Sequence, residues 1–509
     1  MSHIQILDCT LRDGGYVNAW NFGRANIKKV INNLAASNID IIECGFLKKD
    51  KEYGDDCSLF TIEQLNKHNL PQNASYVAMI NFGEYELDDI PHKNQVNIDG
   101  IRVAFHKKDL QAAIELCEGI KAKGYKVFVQ PMVSINYTDE EFAALIQMVN
   151  RIKPYAFYIV DSFGNMDNTA LLRLYTTVKV HLDVAINAGY HAHNNLQLAF
   201  ANTQLLIAQE RTHNFIIDTS VFGMGRGAGN LNTELFTEYM NNTFGLRYII
   251  EPILAIMDEV VYKFYQEYGW GYSMPQYLSA KRNCHPNYAS YLAQKETLRV
   301  DHINTILQGL ASEKKNNFDK QYIENLYKDF QCKNVVADSE SMAGLKALLN
   351  NTSVILIAAG ENAIVEQDRV RHCSQSENVI SIAVNFLPQT VEPDLVFYSN
   401  LKRYQPLSSV SQDKLIFTSN MINDVKNSAR YIVNFSSLLI DNDFIHDNGG
   451  LMLIKLLINL GVKKVMLAGF DGYKDSYPNA AVLNASIRDQ IKKLSASIDI
   501  AFITSTMYE

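Results

Sequence analysis

The chain has no Cys-x-x-Cys pair. Its seven cysteines, at positions 9, 44, 57, 117, 284, 332 and 373, are odd in number and widely spread. Such a set suits neither a zinc knuckle nor a disulfide framework and reads as reduced, mostly buried thiols. Long apolar runs are also missing, and none approaches the roughly 18–20 residues of a membrane span. Asp8 and Arg12 stand where a signal peptide would be apolar. A cytoplasmic protein with no membrane span is the expectation. There is no basic surplus, with 47 Lys and Arg against 55 Asp and Glu, a net charge of −8 and a pI near 5.9. That balance gives no footing for a nucleic-acid partner, which requires a clustered basic surface. What is present is an ordinary globular mixture, 47% hydrophobic and 20% charged with 11 prolines. At 509 residues it exceeds one core, and two or three domains follow.

The first 230 residues alternate β-rich runs with amphipathic segments. Strands are expected at 4–10, 39–46, 75–82, 100–106, 125–133, 156–161, 185–191 and 215–221. Helical spacing recurs at 24–37, 108–123, 138–151, 168–183 and 196–209, while 48–60 reads as an irregular loop before a short helix near 61–67. Eight strand–helix repeats in this length match an α/β fold of the (β/α)8 TIM-barrel type, with a doubly wound sheet as the alternative. The barrel is favoured because the polar residues fall at the carboxyl ends of many different strands, where barrels place their chemistry. From 246 to 334 the segments 249–267, 286–295, 297–311 and 319–330 are helical by periodicity, with Pro252 suited to a first turn. A second α/β pattern begins at 353, with strands at 353–360, 379–386, 395–400, 414–420, 431–435, 463–472 and 498–504. The helix at 449–461 is apolar nearly all round, as expected of one buried on several sides. Three regions result: a barrel at 1–245, a helical extension and linker at 246–350, and a Rossmann-like C-terminal domain at 351–509.

The chemistry concentrates in three stretches. The first strand ends in Cys9-Thr10-Leu11-Arg12-Asp13-Gly14-Gly15, joining a cation, a carboxylate and two glycines. On the seventh, His191 and His193 sit at i and i+2, so an extended backbone points both the same way. Two imidazoles and the Asp13 carboxylate form a divalent-metal set with positions left for a substrate; the plainer alternative is a group of polar barrel-mouth residues. After the eighth strand, Gly223-Met224-Gly225-Arg226-Gly227-Ala228-Gly229-Asn230 lets backbone approach a ligand closely. A phosphate loop is the alternative there, and Asn230 offers a further neutral oxygen to the metal.

These three motifs together resemble the DRE-TIM metallolyase superfamily, and Asp161-Ser162-Phe163-Gly164-Asn165-Met166 brings the likeness to its 4-hydroxy-2-oxovalerate aldolase branch. The resemblance spans about residues 3–330. It implies a carbon–carbon lyase of the class II pyruvate aldolase type, working through an enolate of pyruvate or a related 2-keto acid with an aldehyde partner. It also implies a divalent cation, Mn2+ or Mg2+ with Co2+ or Zn2+ as alternatives, on Asp13, His191, His193 and Asn230, and a homo-oligomer, a dimer. Arg12 would stabilise the enolate oxygen with a charge kept at neutral pH. Ser162 and Arg226 would bind substrate, although Ser162 suits a helix-capping hydroxyl equally well. The aldolase branch carries LRDG-x-His; Tyr16 stands in that place here, and a phenol is the poorer base at neutral pH. Glu43, His106 and Tyr288 are the other acid/base candidates. The lyase branch has a cysteine in its glycine-rich loop where this chain has Arg226, which counts against HMG-CoA cleavage. An acyl-CoA Claisen-type synthase is the alternative on the same barrel.

In the C-terminal region, the Ala358–Ala363 turn and the strand ends carrying Asn385, Asn400, Lys402, Arg403 and Asp471 resemble sialyltransferase-like and other nucleotide-sugar domains. They imply a nucleotide or nucleotide-sugar ligand, a place in surface-polysaccharide biosynthesis, and the alternative of a glycosyltransferase-like domain on a scaffold barrel. A degenerate or assembly domain is the plainer reading.

Overall fold

A computed structural model describes residues 3–509 apart from 50–53, 68, 211, 390, 405–410, 426–428 and 478. The chain divides into two compact units, one running to Ser290 with Leu310–Phe318, the other comprising Tyr291–Gly309 and Asp319–Glu509. The helical stretch at 246–350 is thus shared between the two.

The first unit holds eight parallel strands: β1 (Ile4–Asp8), β2 (Ile41–Leu47), β3 (Ser75–Asn81), β4 (Gly100–Phe105), β5 (Lys126–Pro131), β6 (Ala156–Asp161), β7 (Asn187–Ala192) and β8 (Phe215–Thr219). Each pairs with the next, and β1 pairs with both β8 and β2, closing a barrel. A two-residue strand, Leu59–Phe60, is added beside β2. Alternation along each strand separates two cores. One set of side chains packs outward against the helices, while Leu7, Ile41, Val77, Phe128, Tyr158 and Ile216 fill the interior.

The outer helices follow local signals. Asp139–Ile152 starts at Thr138, whose hydroxyl accepts from Glu141 N while the Glu141 side chain accepts from Thr138 N. That reciprocal cap satisfies two orphan amides, and three acids in the first turn suit the helix dipole. Its buried residues Phe142, Leu145, Ile146, Val149 and Ile152 recur at helical spacing, each contributing about 1.5–3 kcal/mol by leaving water. The third crossover has no α-helix. Residues 82–99 contain Pro91 and form only two short 3-10 turns, Leu87–Asp89 and Lys93–Gln95. A helix at Met274–Lys281 was not foreseen, because eight residues beginning Met-Pro give little periodicity.

The second unit carries seven parallel strands: β9 (Ser353–Ile357), β10 (Val379–Val384), β11 (Leu395–Tyr398), β12 (Leu415–Thr418), β13 (Tyr431–Val433), β14 (Lys464–Ala468) and β15 (Asp499–Phe502). Their order is β13-β12-β11-β10-β9-β14-β15, an open sheet that changes direction of growth between β9 and β14, as in Rossmann-like folds. The helix Gly449–Leu460 buries eight of its twelve residues, which explains its nearly continuous apolar sequence. No helix among the described residues is long and apolar enough to cross a membrane. All seven cysteines are free thiols, and five of them are buried.

Candidate active site

Beyond β1 the chain turns sharply, with Cys9 O accepting from both Arg12 N (3.0 Å) and Asp13 N (2.8 Å). Gly15 is required here, because a Cβ would lie 2.0 Å from the Trp20 ring, whose Nε1 donates to Arg12 O at 2.8 Å. Arg12 and Asp13 are thereby delivered to the barrel mouth, both buried.

Asp13, His191 and His193 converge there, with one ligand atom from each within 4.8 Å of the others. His191 is on β7. His193 lies one residue past the strand end, where it forms an isolated antiparallel bridge with Asn230. Both imidazoles are fixed from behind. His191 Nδ1 donates to Asp218 Oδ2 (2.9 Å) and His193 Nδ1 to Asp161 O (3.0 Å). Since a carboxylate only accepts, the His191 proton sits on Nδ1 and its Nε2 keeps a lone pair. His193 Nε2 comes within 3.3 Å of Asp13 Oδ2. Asn230 Nδ2 donates to Asp13 Oδ2 at 2.6 Å, and its Oδ1 is buried with no hydrogen-bond partner among the described residues. Gly225 makes room for this pair, because a Cβ there would lie 2.2 Å from Asn230 Nδ2 and 2.9 Å from Asp13 Oδ2. One carboxylate, two oriented imidazoles and an orphaned amide oxygen fit a divalent cation.

The electrostatics agree. Burial alone would raise the Asp13 carboxyl, but its charged and hydrogen-bonding neighbours, Arg12 first among them, outweigh it and hold the group well below the usual range. Burial lowers His191 to about 4 against the pull of Asp218, so it is neutral and able to ligate at pH 7. Below the ligands runs a buried chain of charge. Arg12 Nη1 reaches Asp13 Oδ1, and its Nε donates to Glu43 Oε2 at 2.9 Å. Arg102 Nη1 donates to the same oxygen at 2.8 Å, while its Nη2 binds Asp218 Oδ2.

The remaining expected residues do not all come together. Arg226, Ser162 and Tyr16 come together: Arg226 Nη2 donates to Ser162 O (3.0 Å), and its guanidinium lies 5.4 Å from the centre of the Tyr16 ring. Tyr16 keeps 41% of its surface exposed and packs edge-on against Trp20 and Phe46. Loss of solvent around the phenol raises its pKa despite Arg226. The Ser162 hydroxyl accepts from Val133 N (2.8 Å), a bond to the loop after β5, not a cap on the helix that follows. Glu43 is at the centre of the ion-pair chain, and burial raises its pKa despite two arginines. His106 stands at the end of β4, and burial lowers it. Tyr288 is fully buried, and its hydroxyl lies against the carbonyls of Lys314 (2.9 Å) and Asn317 (2.7 Å).

The family model described as HMGL-like matches residues 101–247. The 4-hydroxy-2-oxovalerate aldolase of Geobacillus genomosp. 3 is 26% identical over 265 residues, covering 51% of this chain and 76% of that enzyme. Its counterpart from Pelotomaculum thermopropionicum is 29% identical over 238 residues, 46% and 68% of the two chains. The N-terminal domain of a provisionally assigned aldolase from Bacteroides vulgatus matches at a TM-score of 0.51 and 29% identity, covering 60% of this chain and 100% of that one. These likenesses support a barrel of the DRE-TIM metallolyase superfamily.

Within this barrel, sequence reasoning missed Arg102, Asp218 and His285. The first two left a trace as charged residues inside otherwise apolar strands, in Gly100-Ile101-Arg102-Val103-Ala104-Phe105 and Phe215-Ile216-Ile217-Asp218-Thr219. His285 left none. It arrives from the helical stretch, 6.0 Å ring to ring from Phe163, and burial, with Arg226 and His106 nearby, lowers it to about 3.

Proposed function

We propose that the barrel is a divalent-cation-dependent aldolase of the class II pyruvate type, making or breaking a carbon–carbon bond beside the keto group of pyruvate or a related 2-keto acid, with an aldehyde as partner. The observation that carries this reading is the convergence of Asp13, His191 and His193 with Arg12 bonded to Asp13. A divalent cation, Mn2+ or Mg2+ with Co2+ or Zn2+ as alternatives, held by these ligands and Asn230 Oδ1 supplies Lewis-acid polarisation of the keto oxygen. Arg12 adds a permanent positive charge where negative charge develops. Ser162 and Arg226 are suited to the substrate carboxylate. Tyr16 retains its proton at neutral pH and so acts as a donor to the aldehyde oxygen, while His106, kept neutral, is the better proton acceptor.

The direct test is a screen of pyruvate against aldehydes, sugar aldehydes included, with each cation in turn and mass spectrometry as readout. Exchange of pyruvate methyl protons for deuterium is expected with Mn2+ or Mg2+ and without coenzyme A. Exchange that appears only with an acyl-CoA would instead assign a Claisen-type synthase, and full activity in chelator-treated enzyme would remove the metal from the reading.

A second reading concerns the C-terminal unit, where a cleft of about 1340 Å³ opens at the carboxyl ends of β9, β10, β11 and β14. Gly360, Asn385, Asn400, Arg403, Gly449 and Asp471 line it; Lys402 is not among the lining residues. Open parallel sheets bind ligands where the strand order reverses, and Gly360 N and Gly469 O meet there at 3.1 Å. That placement supports a nucleotide or nucleotide-sugar. Titration of the full chain with CMP- and UDP-sugars is expected to show saturable binding that Asn385→Ala weakens. No heat and no melting shift across a nucleotide panel would set this reading aside.

A further inference from the structure

We propose that Arg102 is a positioning residue that sets both the candidate metal ligand His191 and the cation Arg12. The inference rests on the aldolase reading for its activity readouts, but not for its binding and spectroscopic ones.

Arg102 occupies the middle of β4, in register with Met79 of β3 and Phe128 of β5. Its side chain is 0% exposed, and its guanidinium lies 5.0 Å from the centre of the Tyr158 ring. A charge placed so deep demands partners. It has two, each shared with a residue of the site. Glu43 Oε2 accepts from Arg102 Nη1 (2.8 Å) and Arg12 Nε (2.9 Å). Asp218 Oδ2 accepts from Arg102 Nη2 and from His191 Nδ1. The planar fork of one arginine therefore spans both carboxylates, which a lysine ammonium cannot do in the same way. Through Asp218, Arg102 keeps the proton of His191 on Nδ1 and its Nε2 toward Asp13. Through Glu43, it holds the Arg12 guanidinium beside Asp13.

Charge balance within this chain gives it a second consequence. Asp13, Glu43 and Asp218 face two guanidiniums, leaving one negative charge. A divalent cation held at the triad would turn that into one positive charge, suited to an anionic 2-keto acid. Arg102 supplies one of the two permanent positive charges in that balance.

The experiment compares wild type with Arg102→Gln, Arg102→Lys and Asp218→Asn. Calorimetric titration with Mn2+ is expected to show affinity about 10–100-fold weaker in Arg102→Gln, the usual scale for loss of an outer-shell partner, with partial recovery in Arg102→Lys. Nitrogen-15 NMR of the metal-free protein is expected to show His191 as the Nδ1–H tautomer in wild type and a mixture in Arg102→Gln and Asp218→Asn. In deuterium exchange of pyruvate, kcat is expected to fall with KM little changed. A folded Arg102→Gln with wild-type Mn2+ affinity and an unchanged His191 tautomer, whatever its melting temperature, would overturn the proposal. If Arg102→Gln does not fold, Arg102→Lys and Asp218→Asn give the same readouts. If wild type binds no Mn2+, the aldolase reading fails while the tautomer comparison still decides the role of Arg102.

Discussion

Asp13→Asn is expected to abolish Mn2+ retention at the barrel mouth and, with it, deuterium exchange into pyruvate. Asp13 is the only anionic member of the triad, and it stays ionised because the Arg12 guanidinium beside it opposes the cost of burying it. Asparagine keeps the shape but leaves a dication facing two neutral imidazoles and amide oxygens. The loss in affinity should exceed the roughly 10–100-fold that an outer-shell partner costs. Folding should survive, because Arg12 retains its bond to Glu43. Metal content after dialysis, measured by elemental analysis alongside the exchange rate, checks both halves. An Asp13→Asn protein with wild-type metal content and exchange would refute the assignment of this carboxylate.

Arg12→Met should separate the two roles in the same turn. Mn2+ binding is expected to change by only a few fold, because Asp13, His191 and His193 remain, whereas kcat should fall by about 10²–10³, the usual loss when an oxyanion donor leaves a dry site. Arg12→Lys is expected to recover little of this. Lysine keeps the charge but cannot engage Glu43 and Asp13 through a planar fork. Parallel loss of metal and rate in Arg12→Met would instead make Arg12 a support of the metal site.

Much of the architecture was legible because it depends on local pattern. The eight barrel strands and the seven of the second unit fall where β-rich runs end in polar residues, since alternation with period two is imposed by the strand itself. The His-x-His spacing brings both imidazoles near Asp13, although β7 stops at Ala192 and His193 is held by its bridge to Asn230. Tyr288 shows the limit. A tyrosine in a helix looks the same from sequence whether it faces a site or backbone carbonyls 26 and 29 residues away. The third crossover lacks an α-helix because Pro91 interrupts it, and its apolar residues Tyr85, Ile90 and Val96 reach the core from short turns and not from one helix face.

The sequence by itself determined the two α/β patterns, the turn that pairs Arg12 with Asp13, and the donor types that suit a divalent cation. Each is written in a few consecutive residues. Only the tertiary structure decided how those donors are held. Arg102 is 59 residues from Glu43 and 116 from Asp218, and it meets both because closure of the barrel brings β2, β4 and β8 around one axis. Burial then sets the charges: in water these side chains would titrate independently, whereas inside the barrel each one's ionisation depends on its partners.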